Sequence, residues 1–233
     1  QVFPNVPETM HLLYPAAQII FILRNPIDRA WSHYRWLVSY GNERRPFKQA
    51  FMADFADTPS VSTGIGGNFR YYFAHGRYGF NISRFLDFYE RESILVLTTE
   101  TFATDPSKMM MQCFDFLGLE GVDVEFGQRE NVTASPRLPR TTSLLLGSEV
   151  VHRDRRDPAG RSMIIAHRII EQTRGVHRLS RVVGQRLKRW TRPSPPLSES
   201  DRGWLADQYR DDVAMLRTLT GQSFDEWSED FPV

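Results

Sequence analysis

The chain has 233 residues, enough to bury a sizeable core and to form one domain or at most two. Its 29 Lys and Arg against 28 Asp and Glu leave a formal charge of +1, so the balance names no polyanionic partner and no nucleic acid is expected. Cys113 is the only cysteine, which excludes an intrachain disulfide. No stretch reaches the apolar length of a membrane span, and the opening residues do not read as a secretion signal, so a soluble, cytoplasmic protein is expected.

In chain order, "QIIFIL" (18–23) is a short apolar, β-branched run that predicts a strand covered on both faces in a parallel sheet. Pro26 suits a first helical position, and Ile27, Ala30, Trp31, Tyr34 and Val38 follow as one helical stripe. Phe47, Ala50, Phe51 and Phe55 predict a shorter helix, and the glycine-rich 58–68 a loop. Ile82, Phe85, Leu86 and Tyr89 form a third stripe, followed by the strand-like "SILVLTTE". Asp105 and Pro106 open the next helix, Gly118 closes it, and Cys113 falls on it. Ser198 with Asp201 opens a last helix over 199–219. Strands alternating with helices point to an α/β layer fold.

Residues 137–193 differ in character, with fourteen Lys and Arg against four acids. Ile165, Ile169, Val176, Leu179, Val183, Leu187 and Trp190 recur at three, four or seven residues and predict a basic amphipathic helix. It reads either as a solvated face over a core stripe or as a docking surface for an anion, a polyanion or a membrane face.

Arg24 lies where the first strand meets the first long helix, at the end of a parallel strand where ligand crevices form. Its planar fork suits a phosphate, and Ser32, about 140° from Ile27 on a helical wheel, leaves the core stripe and could donate to the same group. The bland reading is a surface ion pair for Arg24 and an ordinary polar position for Ser32.

"IIFILRNPIDRAWSHYRW" resembles the 3′-phosphate-binding motif of sulfotransferases that use 3′-phosphoadenosine 5′-phosphosulfate. In that family an apolar strand leads to Arg-(Asn/Asp)-Pro, and a serine eight residues after the Arg completes the site. The likeness continues through "YGNERRPFKQAF", through the Gly-x-Tyr segment at 76–78, and through a strand ending in Glu, an Asp-Pro helix start and Phe-Leu-Gly. "NVTASPRLPR" resembles the loop that closes over the nucleotide, and "LSESDRGWLADQYRDDVAMLRTLTG" the last helix. The "YGNERRPFKQAF" segment resembles the stretch after the motif's helix in bacterial and carbohydrate members.

The resemblance implies a three-layer, P-loop-NTPase-like α/β fold with a central parallel sheet and a helical carboxyl-terminal part. Residues 1–233 are then a single, amino-terminally incomplete sulfotransferase domain, with 137–193 a basic helical insertion or subregion within it. It implies 3′-phosphoadenosine 5′-phosphosulfate as donor, Arg24 and Ser32 on its 3′-phosphate, and Asn131, Arg137 and Arg140 near the nucleotide. The implied reaction moves a sulfuryl group to a hydroxyl or amine of a carbohydrate, lipid or small alcohol, without a metal.

The family's Pro-Lys-x-Gly-Thr-Thr loop, which holds the 5′-phosphosulfate, has no counterpart in this sequence. That loop and the catalytic base are expected upstream of Gln1, so this chain alone is expected to be inactive. His11 and Glu8 are the nearest titratable groups before the first strand, and neither is assigned as the base. Two other readings stand beside an enzyme: a non-catalytic nucleotide-binding relative, and a polyanion-binding module built on the 137–193 helix.

Overall fold

The computed structural model describes residues 5–39, 43, 45–56, 71–122, 135–136, 150–156, 162–168, 191–192 and 196–232. The chain forms two compact units, one from Gln1–Ala30, Phe73–Glu130 and Leu197–Val233, the other from Trp31–Tyr72 and Asn131–Pro196.

The first unit holds a mixed α/β arrangement. Helix α1 (Val6–Leu13) leads to strand β1 (Ile19–Leu23), from which the chain enters α2 (Pro26–Ser39). Strand β2 (Ile94–Thr98) lies parallel to β1, in register from Ile19 opposite Ile94 to Leu23 opposite Thr98. Ile19, Phe21 and Leu23 are buried and Ile22 is exposed, so β1 is covered mainly on one of its faces. The other edge of β2 is closed by side chains: the Ile94 carbonyl accepts from Arg91 and the Val96 carbonyl from Gln222 Nε2 at 3.1 Å. These carbonyls are two residues apart, on one edge, and their capture blunts it against further pairing.

Two further helices supply most of this unit's apolar cover. Numbering helices in chain order, α3 is Phe47–Ala56, in the second unit, and α4 is Tyr78–Leu86. After β2 come α5 (Thr99–Thr104) and α6 (Pro106–Leu117), and the last helix, α7, is Glu199–Thr220. Helix α4 packs along α7. Ile82 and Phe85 meet a core that includes Leu205, Tyr209, Val213 and Leu216, with Phe21 edge-on to Phe85 at 5.1 Å.

The expected helix ends form by the expected chemistry. Asp105 accepts from the Lys108 N–H at 2.9 Å with Pro106 at the first position, Gly118 closes α6 at φ 65°, and Ser198 accepts from the Asp201 N–H at 3.1 Å. Two boundaries differ from expectation. Thr99 and Glu100 begin α5 rather than extend β2, because the Thr98 hydroxyl caps that helix by accepting the Thr101 N–H at 3.2 Å. Tyr89 lies beyond the end of α4 yet is buried.

The second unit carries α2 from Trp31 onward and α3. Trp31 stacks on Tyr34 and meets Phe47 edge-on, and Phe51 is fully buried beside Phe55. Glu43 is buried within this aromatic group. Its carboxylate accepts from Arg45 Nε at 3.0 Å, from Arg45 Nη2 at 2.7 Å and from the Tyr72 hydroxyl at 2.9 Å.

The expectation of a basic helix through 137–193 is corrected where the backbone is described. Strands β4 (Val150–Arg156) and β5 (Ser162–Arg168) form an antiparallel pair, from Val150 opposite Arg168 to Arg156 opposite Ser162. The sequence between them contains Asp157, Pro158 and Gly160, which favour a turn, and β5 carries the apolar run Met163, Ile164 and Ile165, the last two β-branched. Ile165, taken as the start of the helical stripe, is therefore a strand residue, whereas 169–190 lie outside the described residues. The two-residue strands β3 (Ser135–Pro136) and β6 (Thr191–Arg192) also pair antiparallel.

Among the described residues no helix is long and apolar enough to cross a membrane.

Candidate functional site

The carboxyl ends of β1 and β2 lie in register at Leu23 and Thr98, and the loop Arg24–Asn25 leaves this edge to start α2. In an open parallel sheet this is the edge at which ligands bind.

Asn25 organises the turn. It is 4% exposed, and its Oδ1 accepts the N–H of Ile27 at 3.0 Å and that of Asp28 at 3.4 Å. Those are amides of the first turn of α2, so Asn25 caps the helix. Its Nδ2 donates to Asp230 Oδ2 at 2.8 Å, and its own N–H donates to Glu100 Oε1 at 2.8 Å. Asp230 Oδ1 receives Arg202 Nε at 2.8 Å, and Arg202 Nη1 reaches Asp28 Oδ1 at 2.8 Å. The chain thus fills the anion-attracting mouth of α2 with its own carboxamide, and it offsets the neighbouring carboxylates with Arg202.

Arg24 is left over from this pairing. It is half-buried, and among the described residues no carboxylate lies within ion-pair distance of its guanidinium. Tyr78, a buried residue at the start of α4, lies beside this turn. Burial raises the Tyr78 phenol above its ordinary 10.0, opposed by the Arg29 charge, a backbone hydrogen bond at Arg24 and the Arg24 charge. The phenol therefore stays neutral and does not compete for the guanidinium as an anion would.

Ser32 lies on α2, six residues beyond Pro26, half-buried and with no hydrogen-bond partner for its hydroxyl among the described residues. Asn131, Arg137 and Arg140 lie outside the described residues. His11, on α1, packs edge-on against Tyr89 at 5.1 Å and beside Phe88, while Glu8 is exposed on the same helix. Cys113 is half-buried on α6, where burial pushes its thiol up and away from reactivity. Among the described residues no group of His, Cys, Asp and Glu is arranged to hold a metal ion.

Comparison with known proteins decides the family. The family description "Sulfotransferase domain" matches residues 6–130, more than half of the chain. The chain belongs to the sulfotransferase domain family. The mouse bifunctional heparan sulfate N-deacetylase/N-sulfotransferase 1 is 30% identical over 113 residues, which are 48% of this chain and 13% of that protein. The bovine bifunctional heparan sulfate N-deacetylase/N-sulfotransferase 2 is 28% identical over 117 residues, 49% of this chain and again 13% of the relative. The chain therefore spans about an eighth of the length of the curated relatives it matches. The crystal structure of a sulfotransferase from Alicyclobacillus acidocaldarius superimposes with a TM-score of 0.57 at 21% identity, covering 96% of this chain and 62% of that one. This last likeness places the α/β architecture among sulfotransferase folds.

Within this sulfotransferase domain, sequence reasoning singled out Arg24 and Ser32 but not the residues that build the turn around Arg24. Asn25 before Pro26 carried a readable signal, since Asn ahead of a first-position proline is a helix cap. Asp230 and Arg202 carried none, being joined to Asn25 and Asp28 only through the tertiary fold.

Proposed function

We propose that this chain supplies the 3′-phosphate half of the donor site of a sulfotransferase that uses 3′-phosphoadenosine 5′-phosphosulfate and acts on a carbohydrate amine or hydroxyl. The sheet belongs, in this reading, to a three-layer P-loop-like domain. The observation that carries it is the state of the turn at the carboxyl edge of β1. Every polar group of Asn25 is paired and the helix mouth is capped, while the half-buried Arg24 guanidinium has no carboxylate partner among the described residues. A cation held this way suits an external dianion, which its fork can grip through two parallel hydrogen bonds. Ser32 adds a hydroxyl donor farther along α2, and Asn131, Arg137 and Arg140 are assigned to the nucleotide by the motif alone. The carbohydrate acceptor is supported by the relatives, whose names give heparan sulfate as the substrate.

The reaction breaks the bond between the sulfuryl sulfur and the 5′-phosphate oxygen as a new bond forms from the acceptor nitrogen or oxygen to sulfur. The acceptor proton passes to a base, and adenosine 3′,5′-bisphosphate leaves. Arg24 serves this chemistry by fixing the far end of the donor, which contributes through orientation rather than bond making. The basic segment gives less support to a polyanion-binding module, since its 150–156 and 162–168 stretches are strands.

The test is calorimetric titration of the chain with adenosine 3′,5′-bisphosphate and with adenosine 5′-monophosphate. Clear preference for the bisphosphate supports the reading, and equal or absent binding of both contradicts it.

A further inference from the structure

Asn25 and Asp230 are 205 positions apart and form one hydrogen bond at 2.8 Å, with both side chains nearly excluded from solvent. The direction of that bond is fixed. The Asn25 Oδ1 already accepts two backbone N–H groups, so its Nδ2 must be the atom facing the Asp230 carboxylate. Asp230 is itself held by Arg202 Nε, and Arg202 also binds Asp28 on the first turn of α2. The segment that carries Asp230 is fixed by Trp227, which is buried and stacked on Phe224 at 4.7 Å, and by Arg217, which donates to the Ser223 carbonyl at 2.8 Å.

We infer that Asp230, braced by Arg202, is a positioning residue of the donor site: it sets the Arg24–Asn25 turn and makes asparagine, rather than aspartate, the required residue at position 25. This rests on the donor-site reading of Arg24. The physical argument is charge complementarity at short range. An aspartate at position 25 would still cap α2, yet it would face the Asp230 carboxylate across a nearly dry contact, and like charges there repel. The turn would then relax away from Asp230 and carry the Arg24 backbone with it, and displacements of about 1 Å are costly to a positioned ligand.

Exchanging the partners tests this. In Asn25→Asp/Asp230→Asn, the new carboxylate at 25 can cap the helix and accept from the carboxamide at 230, whose oxygen still accepts from Arg202. Affinity for adenosine 3′,5′-bisphosphate is measured by calorimetry in the full chain, with the unfolding midpoint of each variant recorded without nucleotide. Asn25→Asp alone is expected to weaken binding about tenfold or more, and the exchanged pair to return it to within about threefold of the original chain.

An exchanged pair that folds but binds as poorly as Asn25→Asp overturns the inference, and so does a folded Asn25→Asp that binds normally. Should Asn25→Asp fail to fold, the exchanged pair decides alone: restored folding with near-original affinity supports the inference, and restored folding with lost affinity contradicts it. Failure of the unaltered chain to bind the bisphosphate, or binding that Arg24→Ala leaves intact, strikes instead at the donor-site reading. The two failures are therefore distinguishable.

Discussion

The Asp212 carboxylate on α7 accepts the backbone N–H of Gly79 on α4 at 2.9 Å, and its second oxygen accepts that of Phe80 at 2.9 Å. One side chain of the last helix thus caps the start of another, with Arg77 at 4.0 Å adding a countercharge. Asp212→Ala leaves the buried Gly79 amide and the part-buried Phe80 amide without their acceptors and is expected to destabilise the fold by about 2 to 3 kcal/mol. Urea unfolding of both proteins reads this as a lower midpoint.

The same contact requires glycine at position 79. A Cβ there would stand 2.4 Å from the Asp212 carbonyl oxygen and 2.9 Å from the Leu216 nitrogen, both backbone atoms that cannot swing aside. Gly79→Ala must therefore push α4 and α7 apart, at a cost of about 2 to 4 kcal/mol in thermal or urea unfolding. An unchanged midpoint would show that the helices lie farther apart than described.

In the second unit the buried Glu43 carboxylate is bound by Arg45 and Tyr72. Breaking a fully buried pair costs about 3 to 5 kcal/mol, but the Arg45 side chain is 37% exposed and can turn to water. Glu43→Ala is expected to cost about 2 kcal/mol and Tyr72→Phe about 1 kcal/mol. Chemical unfolding should place the two in that order.

Tyr78 provides a pH signature. Because burial raises its folded phenol above 10.0, the group contributes its full stability below that pH. Above it, the unfolded chain gains from an ionisation that the folded chain resists, so stability falls as pH rises toward the folded value. Tyr78→Phe should remove that part of the alkaline decline and cost about 1 kcal/mol at neutral pH through the lost hydrogen bond at Arg24. Unfolding midpoints of the two proteins compared from pH 8 to 11 on the order of half-unit steps would show the curves converging at high pH.

How much of this was legible in the sequence depended on range. Pro26, Asp105, Gly118 and Ser198 act within a few residues of themselves, and the helix ends they mark form where expected. The β1–Arg24–α2 join was legible for the same reason, as a strand, a cation and a helix start adjacent in the chain. The partners of Asn25 were not, since Glu100 and Asp230 reach it only after β1, β2 and the carboxyl-terminal segment have packed. Residues 150–168 were misread because an apolar spacing of three, four or seven residues, which begins only at Ile165, was taken to stand for the whole basic segment, whereas turn-forming Asp157, Pro158 and Gly160 between two short runs were the better guide.

The most direct test of the central claim is the affinity of adenosine 3′,5′-bisphosphate for the chain and for Arg24→Ala, with circular dichroism confirming that both are folded. If the Arg24 guanidinium grips the 3′-phosphate, the substitution weakens binding by about 2 to 4 kcal/mol and abolishes the preference over adenosine 5′-monophosphate. A folded Arg24→Ala chain that binds the bisphosphate as tightly and as selectively as the original would contradict the account.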